Sequence, residues 1–487
     1  MIHFKKIISL AFKNKIFHYV FSRYIVYFIQ FINSIFIAAF LGPYYLGIWG
    51  FVNLVLQYMN QLNLGISHAH NAIISIHKKH EWYIQKIAGT ALSMYAFWSL
   101  LVVFFFIANA WFGFHIGEKF EFSKYAYIVI TTGVLTYFTS ITSGVFRTYG
   151  KLSEIAFSQT LFPVLALLSL FFFKEKNLLW ALIISTFVSV LAAFLVYIKR
   201  MPIRIRPVFI LRLCKYIQIK GWHLFVYNTS FYLIALSTNT FISGYYSVEE
   251  FGYLTFSATM ANVGIALLNS FTFIIYPKLL NRFALSDSEK TVAVLRLIRD
   301  AYITTAHLLC YIVMLLFPLL LLFFPQYEPS KQAFYLISLT TILYTNSDGF
   351  SGLLIAKEQE KTLAYFTLLV LVINVGVAYM LAVVLKTPFQ YIILATMTAY
   401  CFFVYGVGYL SRKYTGMKNK GLAFTQNVFP FQLLVPFILC LCLTFLKVSS
   451  YYFFFPVLLF LLLNRKRLVN LKEVGKTILH NPDFINI

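Results

Sequence analysis

The chain has 487 residues, of which 60% are hydrophobic, 19% aromatic and only 11% charged, with a mean hydropathy of +0.77. A soluble domain carries about 25% charged residues, so this composition excludes a water-soluble globular enzyme and reads as a polytopic membrane protein. The net charge of +24 would suggest nucleic acid in a soluble protein; here the Lys and Arg residues lie between apolar runs, where they set orientation in the membrane, and no nucleic-acid partner is expected.

The opening, MIHFKKIISLAFKNKIFHYVFSRY, lacks the pattern of a secretory signal, because Lys13, Asn14 and Lys15 interrupt its first apolar stretch and no small-residue cleavage site follows. A membrane-crossing helix needs about 20 mainly apolar residues. On that scale the sequence predicts an all-α fold of about 14 spans, at 17–41, 45–66, 88–112, 125–146, 155–173, 178–198, 222–243, 251–276, 301–324, 333–356, 363–385, 389–410, 428–446 and 452–463. With the N-terminus inside and the spans alternating, only Lys119, Lys124, Lys174, Lys176, Lys331, Lys386 and Lys447 of the 40 Lys and Arg residues fall outside. That bias predicts an even number of spans with both termini in the cytoplasm. The outside loops are short, which leaves ligand binding to the helix bundle.

Two turns are alike. FLGPYYLGIWGF (40–51) joins the first and second spans, and YYSVEEFGYLTF (245–256) joins the seventh and eighth. Aligning Gly47 with Gly252 gives an offset of 205, and aligning Ser143-Gly144 of SGVFRTYGKLSEIAF with Ser351-Gly352 of SGLLIAKEQEKTLAY gives 208. Two offsets this close predict two copies of a six-span unit. Both copies start inside, so the repeat is parallel, an architecture of secondary transporters that place their sites between the halves. The expected organisation is a six-helix bundle at 1–198, a basic cytoplasmic linker at 199–220, a second six-helix bundle at 221–411, and two extra spans with a tail at 412–487. From Val208 the linker reads as an amphipathic helix, with Arg212, Lys215 and Lys220 on one side and Ile210, Leu213, Cys214 and Ile217 on the other. It is either a headgroup-layer helix or a solvated topology signal.

Charges inside a span cost about 2.5–3.5 kcal/mol on insertion scales, which makes them functional candidates. Asp348, in YTNSDGFSG, is the acidic residue well inside a span and is expected to be an ion-coupling site or a polar contact between helices. Arg23, early in the first span, and Arg147, ending the fourth, suit phosphate recognition or snorkelling at the interface. Asn33, Gln57 and Asn60 in the first two spans, and Asn228 and Asn239 in the seventh, predict either a wet cavity fit for a sugar-bearing ligand or hydrogen bonds between helices. His68, His70, His77 and His80 crowd one loop, but no carboxylate or Cys accompanies them, and no metal is expected. The five cysteines have no metal spacing and read as packing residues. No phosphate-binding Gly-rich loop or nucleophile set stands out, so neither an ATP-driven pump nor an enzyme is expected, and no cofactor.

The quoted turns, with SGYYSVEEFGYLTFSATMANV and IIYPKLLNRF, resemble the bacterial polysaccharide exporters of the O-antigen flippase type, over nearly the whole chain. The resemblance implies the two-bundle fold of multidrug and toxin extrusion transporters with two added C-terminal spans, in the bacterial inner membrane. It implies a flippase that moves undecaprenyl-diphosphate-linked oligosaccharide, for O-antigen, lipopolysaccharide or another surface polysaccharide, by alternating access of a cationic cavity. Membrane lipids, a polysaccharide polymerase and assembly proteins would be its partners. Many relatives have an acidic residue near Asn239; the amide here leaves Asp348 as the substitute. A drug or small-solute antiporter of the same fold and a membrane-embedded polysaccharide polymerase are the alternatives. Scarce intramembrane carboxylates argue against the antiporter, and the short outside loops argue against the polymerase.

Overall fold

The structure, a computed structural model, describes residues 15–77, 80–112, 117–285, 288–415 and 421–471. These are helical apart from turns and an extended segment at 201–210, with no strand among them. The protein is an all-α, multi-pass membrane protein of about fourteen spans. Among the described residues eight helices are long and apolar enough to cross a membrane, and a ninth is the pair Leu422–Val428 and Phe431–Phe445, bent by 83°. Leu211–Tyr245 is long but carries amides and hydroxyls, and much of Val248–Leu285 has side chains outside the described residues. Lys331–Thr345 is separated from Phe350–Ala356 by a break, and Phe454–Leu463 is short. The helical stretch Lys15–Gln61 contains two spans.

That last point follows from its contacts. Gly42 has φ 68 and ψ 171, a region essentially confined to glycine, and Pro43 then starts the next helix with its fixed φ. Asn33 donates to the Pro163 carbonyl at 2.7 Å, and the ring of Trp49 stacks on Phe162 at 6.4 Å between centroids. Along an unbroken helix Asn33 and Trp49 would lie about 24 Å apart. Both touch adjacent residues of one neighbour, so the chain doubles back at Gly42. The matching turn of the second half is closed differently. Glu250 N–H donates to Ser247 Oγ at 3.1 Å and Ser247 N–H to the Glu250 carboxylate at 2.9 Å, a capping box that starts Val248–Leu285.

The chain divides into two compact units, Met1–Thr229 and Ser230–Ile487, the division falling within Leu211–Tyr245. In the first unit Ile66, Ile73, Ile84, Ile87, Tyr95, Tyr137 and Ile141 form a buried core. The linker joins that core. Ile203 is buried and Ile205 packs against the cluster, whereas Arg204 and Arg206 are exposed, the alternation of an extended strand. Val208 N–H donates to the Gly89 carbonyl at 3.3 Å, and a Cβ on Gly89 would overlap the Arg206 carbonyl oxygen. Helix Leu211–Tyr245 follows without interruption, so the amphipathic linker helix is the first part of the seventh span. Cys214 and Ile217 on its apolar side are covered by protein.

In the second unit aromatic pairs do the packing: Phe317 on Phe334 at 3.6 Å, Phe256 on Tyr327 at 4.2 Å and Tyr335 on Phe453 at 4.2 Å. Each unit has, within itself, a bond of the same kind. Asn33 ties the first span to the fifth, and Asn374 ties the eleventh to the seventh, donating to Ile234 O and Ser237 Oγ at 2.8 Å each. Outward faces are apolar: Phe97, Leu100, Phe104, Phe105 and Trp111 of Glu81–Phe112 are exposed, as hydrocarbon rather than water favours.

Candidate functional site

The densest polar arrangement among the described residues surrounds the break in the tenth span. Helix Lys331–Thr345 stops at Asn346, the chain turns at Gly349 with φ 88, and Phe350–Ala356 begins. With the offset of 208, the first-unit counterparts of Asn346–Gly349 are residues 138–141, inside the unbroken helix Ala126–Thr148. The break therefore belongs to one half only, and Ser140 stands where the second half has Asp348.

What holds the break is Arg299 of Ser288–Phe323. Its guanidinium donates to the carbonyls of Asn346 at 3.0 Å, Asn427 at 2.8 Å and Val428. These carbonyls end helices Lys331–Thr345 and Leu422–Val428, where no intrahelical donor remains and the helix dipoles are negative. The guanidinium also lies 4.3 Å from the centre of the Phe350 ring. Arg299 is 6% exposed. Asp348 sits beside it. Its N–H donates to Thr345 O at 3.1 Å, its carboxylate accepts from the Tyr302 hydroxyl, and it stands in the field of Arg299. Tyr302 is one turn from Arg299 on the same helix. Next to Arg299, Asp300 pairs with Arg467 at 3.5 Å. Each buried charge in this cluster thus has an opposite charge or carbonyl dipoles nearby, the condition for keeping it in a low-dielectric interior.

The other expected site residues are dispersed. Arg23 is on Lys15–Gln61, and its side chain lies outside the described residues. Arg147 is exposed in the last turn of Ala126–Thr148, a favourable end for a cation. Asn33 is buried and bonded to Pro163, as described. Gln57 is half-buried, and Asn60 is exposed, its carbonyl accepting from Asn63 Nδ2 at 2.7 Å. Asn228 and Asn239 are half-buried; their spacing puts them on one stripe of Leu211–Tyr245 with Tyr232, which is exposed. Neighbouring Thr238, on another face, bonds Thr396 at 2.8 Å.

His70 is fully buried in helix Ile66–Ile76, and that burial pushes its imidazole down to about 4, so it is neutral at pH 7. Among the described residues no three His, Cys, Asp or Glu side chains come together as metal ligands. Arg299 and Tyr302 were not among the expected site residues. The available signal was an Arg-Asp pair abutting an apolar run instead of standing clear of it, at 299–300.

The fold is that of known transporters. The structure is similar to an inward-facing multidrug resistance MATE family transporter of the MOP superfamily, with a TM-score of 0.64 and 15% identity over 82% of this chain and 100% of that one. It is also similar to the lipid II flippase MurJ in an inward closed conformation, with a TM-score of 0.63 and 14% identity over 93% of this chain and 97% of that one. A MATE transporter in the straight conformation aligns with a TM-score of 0.55, 14% identity, and 84% and 95% coverage. No protein-family model matches the sequence, and no curated protein matches it.

Proposed function

We propose that this protein is a flippase that carries undecaprenyl-diphosphate-linked oligosaccharide repeat units across the bacterial inner membrane by alternating access, with both termini in the cytoplasm. The observation that supports it most is electrostatic. The carboxylates within and bordering the spans are engaged: Asp348, inside a span, with Tyr302 beside Arg299, and the half-exposed Asp300, at a span's edge, with Arg467. Among the described residues no free intramembrane carboxylate is offered to a cationic drug, while the amides Gln57, Asn60, Asn228 and Asn239 are half-buried or exposed and suit sugar hydroxyls. Arg23 and Arg147 are assigned to the diphosphate, Asn33 to shaping the first unit's polar face, and Asp348 to ion coupling.

In a deletion strain the surface polymer should be lost and repeat units should accumulate on the undecaprenyl carrier. Complementation by Asp348→Asn should restore transport at least about tenfold less well than wild type, a coupling of about 1.4 kcal/mol. Arg147→Ala should weaken it too. The second reading, a drug or small-solute antiporter, is favoured by the equal likeness to the multidrug transporter, with TM-scores of 0.64 and 0.63. Normal polymer with altered drug sensitivity would select it.

A further inference from the structure

The linker presents a surface that neither water nor hydrocarbon suits. Residues 199–220 contain seven Lys or Arg and no Asp or Glu. Arg200 is 3.8 Å from Glu154, but Arg204, Arg206, Arg212, Lys215 and Lys220 are exposed and meet no carboxylate among the described residues. These cations are not on a loose tail. The extended segment is pinned to Gly89 through Val208, and Ile203 and Ile217 are buried in the first unit's core. Their spacing is therefore fixed.

The strap and the helix it leads into also expose large apolar groups: Phe209 at 66%, Leu211 at 73%, Ile219 at 61% and Trp222 at 45%. At about 100° per residue, Leu211, Arg212, Lys215, Ile219 and Trp222 fall within one arc of the helix, opposite the buried Ile217. Water would leave four bulky apolar side chains uncovered, and the bilayer core would not accept unpaired cations. The boundary between phosphate headgroups and acyl chains satisfies both sets, with Trp at the depth where it is enriched.

We propose that this strap and the helix it leads into form a docking surface for anionic phospholipids. Their phosphates lie against Arg204, Arg206, Arg212 and Lys215, and their glycerol and upper acyl regions lie against Phe209, Leu211, Ile219 and Trp222. Juxtamembrane basic clusters attract anionic headgroups in this way; the rigid strap adds preorganisation. The proposal is independent of what the protein transports.

The test uses the full-length protein, delipidated in detergent and titrated with phosphatidylglycerol or phosphatidylcholine, with retained lipid counted by native mass spectrometry. Wild type should retain phosphatidylglycerol on the order of tenfold better than phosphatidylcholine. The variant carrying Arg204→Gln, Arg206→Gln, Arg212→Gln and Lys215→Gln should lose that preference. Should it fail to fold, the exposed pair Arg212→Gln and Lys215→Gln should reduce the preference by at least half. Equal retention of the two lipids by wild type would overturn the proposal, as would an unchanged preference in the folded variant. Displacement of phosphatidylglycerol by an equal concentration of glycerol phosphate would also overturn it, since the site would then serve a free phosphate.

Discussion

Arg299→Met leaves little folded protein in detergent: this is the largest effect of a single side chain that the structure leads one to expect. The substitution keeps most of the apolar stem but removes the donors to Asn346, Asn427 and Val428 and the positive field beside Asp348. Removing one partner of a buried charge arrangement costs about 3–5 kcal/mol, a large share of the roughly 5–15 kcal/mol that holds a typical protein folded. Arg299→Lys should recover only part of this, because an ammonium is a point charge and lacks the planar fork that reaches the ends of two helices. The double variant Arg299→Met with Asp348→Asn should be more stable than Arg299→Met alone, since the unpaired carboxylate is gone. Fluorescence-detected size exclusion after heating measures all three. Wild-type stability in Arg299→Met would show that the break in the tenth span holds without its clamp.

The second large effect is at Gly89. A Cβ there overlaps the Arg206 carbonyl oxygen, a backbone atom fixed by the packing of Ile203 and Ile205 on either side of Arg204. Gly89→Val must push the strap off helix Glu81–Phe112 and out of the first unit's core. Uncovering a fully buried Ile costs about 1.5–3 kcal/mol, so losing the buried Ile203 and the half-buried Ile205 should cost about 2–4 kcal/mol. Once displaced, the strap exposes its backbone at two arginines. Limited trypsin digestion should therefore cut Gly89→Val after Arg204 much faster than wild type, yielding two fragments; Arg206 is protected by the following Pro207. Equal cutting rates would mean that the strap is not held where it crosses Gly89.

The all-α class and most of the spans were legible because a spanning helix announces itself by length and apolarity. The turns were legible because Gly42-Pro43 and Ser247–Glu250 are local chemistry. Leu211–Tyr245 shows one limit. The basic segment could be recognised as amphipathic, but nothing in its periodicity says whether its apolar side meets lipid or Ile203 and the first unit's core. The break before Phe350 shows another. YTNSDGFSG signals polarity and a glycine, yet the donor that makes the break affordable is Arg299, almost fifty residues earlier, which charge counting had grouped with the topology signals. Asn33 was readable as polar within a span, but its bond to Pro163 depends on the fold of the first unit. Sequence reports which side chains are expensive to bury; only the packed helices report which carbonyl or hydroxyl takes them up.

The most direct measurement is translocation by the purified protein in proteoliposomes, with a fluorescent undecaprenyl-diphosphate oligosaccharide in one leaflet and a membrane-impermeant quencher outside. The account predicts protein-dependent movement of that lipid between leaflets, slowed by Asp348→Asn, and no uptake of a cationic dye under the same gradient. Dye uptake without movement of the lipid would contradict it.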